Sequence, residues 1–120
     1  VIKEAGSLLK AEFAEEQPES CDGRSAAVFD ADLLKFPLTV RARNEGDFFC
    51  PAGFGKRKKL QDFFVDEKVP RDERDAVPIV LSGEDIIWLA GFRMDERFRV
   101  TEGTKKFLLL KSFSNQPRKK

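Results

Sequence analysis

The opening segment of the chain combines apolar residues at helix-like spacing with a polar stretch after them. The apolar positions are Ile2, Ala5, Leu8, Leu9 and Phe13. Their spacing predicts a helix that ends at Gln17-Pro18, because a proline disfavours the helical region for the residue before it. We therefore expect residues 1–24 to be the helix end and linker of a preceding domain, with a peripheral strand as the alternative for the first residues.

From Ala26 onwards the apolar residues form short runs that are typical of strands. The runs are AAVFDADL, FPLTVRAR, PIVLSGEDIIWLAGFR and RFRVTEGTKKFLLLKSF. Each run is rich in strand-forming residues and is bounded by Gly, Pro, Asp or Ser, which favour turns. Ser82–Asp85 predicts the turn of one hairpin, and Glu102-Gly103 predicts the turn of a second. Trp88 is expected in the core.

One segment between these runs has the spacing of a helix. Leu60, Phe63 and Phe64 follow the i, i+3, i+4 rule, which predicts one buried face. The residues expected on the solvent side are Lys59, Gln61, Asp62, Asp66 and Lys68. Pro70 is expected to end or kink this helix.

The stretch PRDERDAV, which begins at Pro70, predicts a second and shorter helical turn. A proline at the first position with acidic residues after it favours a helix N-terminus. Arg71 and Arg74 are three residues apart and can share one face of this turn. The whole pattern predicts an α+β fold: a short-stranded β-sheet or sandwich with one main helix and a following helical turn.

Composition agrees with a folded domain. The 120 residues are 41% hydrophobic and 36% charged, with 12 Phe and one Trp to fill a core. The chain has no apolar run near the roughly 20 residues that a membrane span needs, and no pattern of a secretory signal at its start. We expect a cytoplasmic protein that does not interact with a membrane.

Several kinds of chemistry are excluded by the residues that the sequence lacks. It contains no His and no Tyr, which excludes Ser–His and Cys–His nucleophilic catalysis within this chain. Cys21 and Cys50 provide neither a zinc site nor a disulfide framework. Carboxylates, lysines and arginines remain as possible catalysts, but nothing in the sequence marks a pair of them for this role. We predict no catalytic residues, no metal site and no cofactor site in this chain.

The basic residues are unevenly distributed. Residues 38–120 hold 18 of the 22 basic side chains, and four of them form the run Lys56–Lys59 before the predicted helix. Cations at a helix N-terminus typically cost about 0.3–1 kcal/mol each, so the run indicates either a solvated loop or a phosphate-binding site. Gly53 and Gly55 precede it, but the Walker pattern is absent, so nucleotide hydrolysis is not predicted.

Several ordered motifs between about Phe29 and Leu110 are specific enough to indicate a family. They are Arg41-x-Arg43 before Gly46-Asp47, Pro51-x-Gly53, KKLQDFF followed by KVPRDERDAVP, IIWLAGFRMDERF, and Thr104. In this order and spacing they resemble the C-terminal domain of bacterial tRNA(Ile)-lysidine synthase, TilS. The chain departs from the family at Phe48, where an arginine usually follows Gly-Asp.

The resemblance implies both a fold and a parent reaction. The fold would be similar to a domain in the β chain of phenylalanyl-tRNA synthetase. The parent enzyme, an ATP-dependent C–N bond-forming ligase, activates the wobble cytidine of tRNA(Ile) with ATP and joins it to lysine, which makes lysidine. Its catalytic domain carries a Ser-Gly-Gly-x-Asp-Ser loop that is absent here. ATP with Mg is therefore expected in that absent domain, and this chain, as a fragment that does not begin with Met, is expected to be inactive alone.

Within this scheme residues 25–114 would be the TilS-type C-terminal tRNA-binding domain, and residues 115–120 a basic tail. The domain would hold tRNA(Ile) on the acceptor-stem side. The candidate tRNA-binding residues are Arg41, Arg43, Lys56, Arg57, Lys58, Lys59, Arg71 and Arg74. Guanidinium groups can grip phosphate bidentately, whereas lysines act as mobile point charges.

Structural roles remain as alternatives for some of these cations. Arg41 and Arg43 can form surface ion pairs with acids such as Glu45 or Asp47. Arg74 can pair with an acid of its own helical region, either Asp66 or Asp75.

The alternative function is a protein–protein interaction or dimerisation module without direct RNA contact. Exposed phenylalanines in the segment DFFCPAGF would favour it, since clustered surface aromatics mark interfaces. The partner would then be another domain of the same enzyme or a second copy of the chain, as a homodimer.

Overall fold

Short strands in three sheets and two short α-helices make up the computed structural model, which describes residues 2–4, 7–18 and 21–114 and the side chains of 9–18 and 21–112. In chain order the strands are β1 (Ile2–Glu4), β2 (Ser7–Ala14), β3 (Ala26–Asp30), β4 (Leu38–Arg41), β5 (Phe48–Phe49), β6 (Lys58–Lys59), β7 (Ile79–Ser82), β8 (Asp85–Leu89), β9 (Arg93–Met94) and β10 (Phe107–Ser114). The α-helices are α1 (Leu60–Asp66) and α2 (Arg71–Arg74), and 3-10 helices cover Ala31–Leu33 and Glu96–Phe98. The α+β prediction with one main helix and a following helical turn is confirmed.

The three sheets differ in size and place. Two four-stranded sheets have the orders β1-β2-β10-β3 and β4-β7-β8-β9, and β5 pairs with β6 alone. The described pairings are antiparallel. Strands β7 and β8 lie in the middle of the molecule, since their side chains contribute to two separate cores.

Each face of the β7–β8 hairpin packs against a different partner. Val80 and Trp88 join the core shared with the sheet that contains β10. Ile79 and Leu89 join a second core with the buried face of α1. This placement explains why the β7 sequence reads as a continuous apolar run rather than an alternating one. Trp88 is fully buried, as predicted, and its Nε1–H donates to the Gly23 carbonyl at 3.1 Å.

The helix predicted at the start of the chain is wrong, because strands β1 and β2 occupy this segment. β2 pairs with β10 along its whole length, from Ser7 to Ala14. Leu9, Ala11 and Phe13 line one face, which is the period of two of a strand. Leu9 and Phe13, four residues apart, also fit helical spacing, so the long-range pairing decided between the two patterns. β1 is an edge strand, as in the alternative of a peripheral strand.

Parts of the predicted domain division lie outside the described residues. These parts are Ala5, which was one position of the predicted helix, and residues 115–120, which were predicted as a basic tail. A boundary between residues 24 and 25 stays a prediction.

One of the two predicted hairpins is confirmed and the other is wrong. Gly83 takes φ +61° in the two-residue turn between β7 and β8, where glycine has no Cβ to clash. The segment before Glu102-Gly103 is instead a 3-10 helix, Glu96–Phe98, which Asp95 caps by accepting from the Arg97 N–H. β10 pairs with β2 and β3 rather than with the residues just before the turn.

Helix α1 follows the predicted pattern. Leu60, Phe63 and Phe64 are at most 2% exposed, while the polar residues predicted on the solvent side are exposed. The helix ends at Asp66, before Pro70. After it, Lys68 takes φ +58° and the Val69 N–H donates to the Phe64 carbonyl. α2 follows, with Pro70 as its N-cap residue. Within the described residues, neither helix has the length and apolar character needed to cross a membrane.

Candidate nucleic-acid interface

The basic run Lys56–Lys59 lies on a loop and a short strand, not within the first turn of α1. Lys58 and Lys59 form β6, opposite Phe49 and Phe48 of β5. Lys59 has extended backbone angles, φ −69° and ψ 142°, and the helix begins only at Leu60. The strand β6 was not predicted from the sequence. Lys59 is the N-cap residue of α1, and its side chain makes no capping hydrogen bond.

Two exposed phenylalanines lie among these cations. The exposed fractions are 43% for Phe48 and 40% for Phe54, whereas Phe49 is buried beneath the loop. Strand alternation explains the contrast, because successive side chains of β5 point to opposite faces. Phe48 and Phe54 line a groove of 440 Å³. The other residues that line it are Gly46, Lys56, Arg57, Lys58, Lys59 and Asp62.

At least one cationic side chain lies over each of these two rings. The Arg57 Cζ lies 4.5 Å from the centre of the Phe48 ring. The Nζ atoms of Lys58 and Lys56 lie 4.6 Å and 5.7 Å from the centre of the Phe54 ring. Cation–π contacts at exposed sites contribute about 0.5–1 kcal/mol each. They order the cations along the groove without neutralising their charge.

The four cations of the run differ in whether an acid already pairs with them. Lys58 is half-buried and pairs with Asp66 of α1. Within the described ranges, Lys56, Arg57 and Lys59 form no ion pair and are exposed. These three side chains are therefore the positive charges of the groove that an anion can reach.

Arg41 is held by an acid, as in the structural alternative for this residue. Its guanidinium donates bidentately to Asp47, with Nη1–Oδ2 at 2.8 Å and Nη2–Oδ1 at 3.1 Å. Partial burial by itself would raise the pKa of Asp47, but hydrogen bonds from Arg41 and from the Asn44 N–H hold that pKa below its ordinary value. The Asp47 carbonyl also accepts from the Leu60 N–H at 3.0 Å, which fixes the loop against α1.

Arg43 lies in a second cavity that adjoins the groove. Its Nε donates to Asp75 Oδ1 at 3.0 Å, which ties the segment after β4 to the end of α2. The cavity measures 630 Å³, and it shares Gly46 and Lys59 with the groove. Its other lining residues are Asn44, Glu45, Asp47, Leu60 and Gln61. Arg43, Lys59 and the rest of the basic run therefore form one continuous surface.

The two arginines of α2 line neither cavity. Arg74 Nε donates to the Val69 carbonyl at 3.0 Å. The acids suggested as its partners are engaged elsewhere, Asp66 with Lys58 and Asp75 with Arg43. Arg71 is exposed and forms no ion pair with another described residue. The structure thus gathers five of the eight candidates, and the roles of all eight in binding stay predictions.

Sequence reasoning missed a buried acid that supports the groove. Asp95 is fully buried, and its carboxylate accepts from the Cys50 N–H at 2.8 Å and from the Arg97 guanidinium at 2.8 Å and 3.0 Å. Its hydrogen bond raises the pKa of Arg97. Pro51 bridges to Asp95, so the segment after β5 is fastened to the β8–β9 region. The motif Asp95-Glu96-Arg97 after β9 could have indicated this residue, since an Asp directly before a helical turn commonly caps that turn.

No metal centre emerges from the part of the chain that the structure describes, since no three metal-binding side chains come together there. The predicted absence of a metal site stays a prediction for the whole chain.

Comparisons with known proteins agree with the fold. The model of the TilS substrate C-terminal domain family matches residues 38–110. The tRNA(Ile)-lysidine synthase of Caldanaerobacter subterraneus subsp. tengcongensis is 44% identical over 88 residues, which cover 73% of this chain and 19% of that protein. The enzyme of Symbiobacterium thermophilum is 49% identical over 76 residues, 63% of this chain and 16% of that protein. The chain spans less than a fifth of the length of these relatives.

Two solved structures share the architecture. A crystal structure of a TilS C-terminal domain has a TM-score of 0.83 and 32% identity, over 94% of this chain and 88% of that chain. An N-terminal fragment of the phenylalanyl-tRNA synthetase β-subunit from Pyrococcus horikoshii has a TM-score of 0.63 and 18% identity, over 78% of this chain and 30% of that chain, and shows a shared fold alone. Because the family match spans more than half of its residues, this chain belongs to the family of TilS substrate C-terminal domains.

Proposed function

We propose that this domain binds tRNA for a tRNA(Ile)-lysidine synthase and holds tRNA(Ile) on its acceptor-stem side. The observation that carries the proposal is the exposed set of Lys56, Arg57 and Lys59, with which no described acid forms an ion pair. Helical RNA presents phosphates and 2′-hydroxyls to proteins, and a shaped basic surface suits both. The family membership supports the same role.

The chemical steps would take place in another domain of the parent enzyme. There, ATP with Mg would activate the wobble cytidine of tRNA(Ile), and lysine would then displace AMP to form lysidine. The described residues of this chain supply a basic surface and no cluster of metal ligands. We propose that the enzyme works in the cytoplasm and that this domain contributes only to holding the tRNA.

A salt series on the full-length enzyme tests the proposal. Each phosphate contact that is lost should flatten the dependence of log affinity on log salt by about 0.9, taking the value for B-form duplex as a guide. We expect this change, with weaker tRNA(Ile) binding, for Lys56→Ala, Arg57→Ala and Lys59→Ala. Lys105→Ala, an exposed lysine that lines neither cavity, is the matched control. Three folded variants with the slope of the wild type would contradict the proposal.

A second candidate function is docking on the rest of the same enzyme. An apolar groove of 480 Å³ lies between the two large sheets. Phe13 and Phe36, which are 61% and 48% exposed, stand beside it with ring centres 5.5 Å apart. Because the curated relatives are more than five times as long as the matched segment, another domain of the same polypeptide is the occupant we propose.

Phe36→Ser tests the docking candidate. It should speed proteolytic release of this domain from the full-length enzyme, while Leu33→Ser, 50% exposed and outside the groove, should not. Equal release from both variants would contradict docking on another domain. A dimer that Phe36→Ser dissociates would identify a second copy as the occupant instead.

A further inference from the structure

We infer that the groove at Phe48 and Arg57 binds an unpaired nucleotide next to the helical stem of the RNA, an inference that rests on the proposed function above. Backbone gripping needs cations alone, and phenyl rings that served only to order those cations would not need to stay exposed. Phe48 and Phe54 remain more than a third exposed inside the ring of cations. An exposed aromatic face among cations is the feature by which proteins bind unpaired bases.

The geometry at Phe48 suits stacking. With its Cζ 4.5 Å from the ring centre, the Arg57 guanidinium already covers part of Phe48 and is itself exposed. Bases stack on guanidinium planes as well as on aromatic rings. Either group therefore offers a flat surface to a base. A base inside a stem has both of its faces covered by neighbours, whereas an unpaired nucleotide leaves a face free to stack on this surface.

The surrounding groups fit the rest of a nucleotide. Lys56 and Lys59 line the same groove and are exposed, so they can contact the phosphates on either side of a stacked base. The Nζ of Lys56 lies 5.7 Å from the centre of the Phe54 ring, so this charge lies over one of the two aromatic side chains of the groove. The groove measures 440 Å³.

The adjoining cavity supplies polar groups of the kind that recognise base edges. Asn44 and Gln61 line it, and within the described residues their side-chain amides form no hydrogen bond. An amide offers a donor and an acceptor together, which matches the edge of a nucleobase. Asp75 holds Arg43 in place beside them. When a base stacks on Phe48, either its edge or the next nucleotide of the strand can therefore reach past Lys59 into this cavity.

Two RNA ligands separate stacking from backbone binding. The full-length enzyme is titrated with a blunt stem and with the same stem carrying a short single-stranded extension. We expect the extension to tighten binding to the wild type. Base–aromatic stacking predicts that Phe48→Ala loses roughly 5- to 150-fold of affinity for the extended stem and little for the blunt one. Val65→Ala, 55% exposed on α1 and outside both cavities, should leave both affinities unchanged.

Arg57→Lys is the decisive second variant. It keeps the positive charge but lacks the planar guanidinium, so a pure phosphate contact predicts the same change in affinity for both RNAs, whereas stacking predicts a loss confined to the extended stem. Melting curves check that each variant is folded. The inference is overturned if the extension does not tighten binding, or if both variants bind the extended stem like the wild type. In either case, salt-dependent binding of the blunt stem would still support the proposed function. If neither RNA binds, the proposed function fails as well.

Discussion

Arg41 and Asp47 form a bidentate pair at the point where the segment after β4 turns toward the basic groove. The two hydrogen bonds measure 2.8 Å and 3.1 Å, and the carbonyl of the same Asp47 accepts from the first residue of α1. One residue thus connects a strand, a loop and a helix. The pair is a support of the groove, and Arg41 lines neither of the two cavities.

The Arg41–Asp47 pair predicts a specific loss of stability in acid. Because the folded-state pKa of Asp47 is lowered, its contribution is complete above the unfolded value of about 3.9 and is lost as pH falls through the lower folded value. Asp47→Asn should therefore be less stable than the wild type at neutral pH, and the gap should narrow below about pH 4. Urea titrations over a pH series measure this. A gap that stays constant with pH would contradict the assigned cause.

Asp95→Ala should destabilise the domain strongly. The change leaves the partly buried Cys50 N–H without its acceptor, which costs about 1–3 kcal/mol, and also removes the partner of Arg97. Asp85→Ala is the matched control, because Asp85 is a half-exposed partner of the same arginine at 3.7 Å, and such pairs contribute about 0–1 kcal/mol. Chemical denaturation compares the two. Equal effects would mean that the burial of Asp95 contributes nothing.

Truncation of the aromatic face of α1 should destabilise the second core. Phe63→Ala and Phe64→Ala should each lower the free energy of unfolding by roughly 3–5 kcal/mol, since both rings are buried. Val65→Ala, on the exposed side of the same helix, should change it by less than about 1 kcal/mol. Thermal melts distinguish the three variants. An unchanged melt for either phenylalanine variant would indicate a surface role instead.

The chain by itself should form no lysidine. Incubation with tRNA(Ile), labelled lysine and ATP should give neither AMP nor labelled tRNA, because the sequence contains no nucleotide-binding loop of the expected kind. The full-length enzyme assayed in parallel provides the positive control. Turnover by the purified chain that survives rigorous repurification would refute the assignment of the chemistry to another domain.

The sequence by itself determined the elements that depend on near neighbours. Leu60, Phe63 and Phe64 lie three and four residues apart, and this spacing defines a buried helix face without help from the rest of the chain. The turn at Gly83 is equally local, because a two-residue hairpin turn needs a positive φ at that place. The ordered motifs from Arg41 onwards also sufficed to indicate the family, which the match to residues 38–110 confirms.

Tertiary structure decided what depends on distant partners. Leu9 and Phe13 fit both helical and strand spacing, and pairing with β10, almost a hundred residues later in the chain, selected the strand. The sequence did not determine the ion pairs either. Asp66 and Asp75 were possible partners of Arg74, but they pair with Lys58 and Arg43 instead. Sequence distance does not decide these pairs, since Asp75 adjoins Arg74 but pairs with Arg43, 32 residues away, and only the folded backbone sets which cation lies within hydrogen-bonding range. Strand alternation places Phe48 and Phe49 on opposite faces of β5, but only the packing of this strand against the core around α1 decides that Phe49 is the buried one.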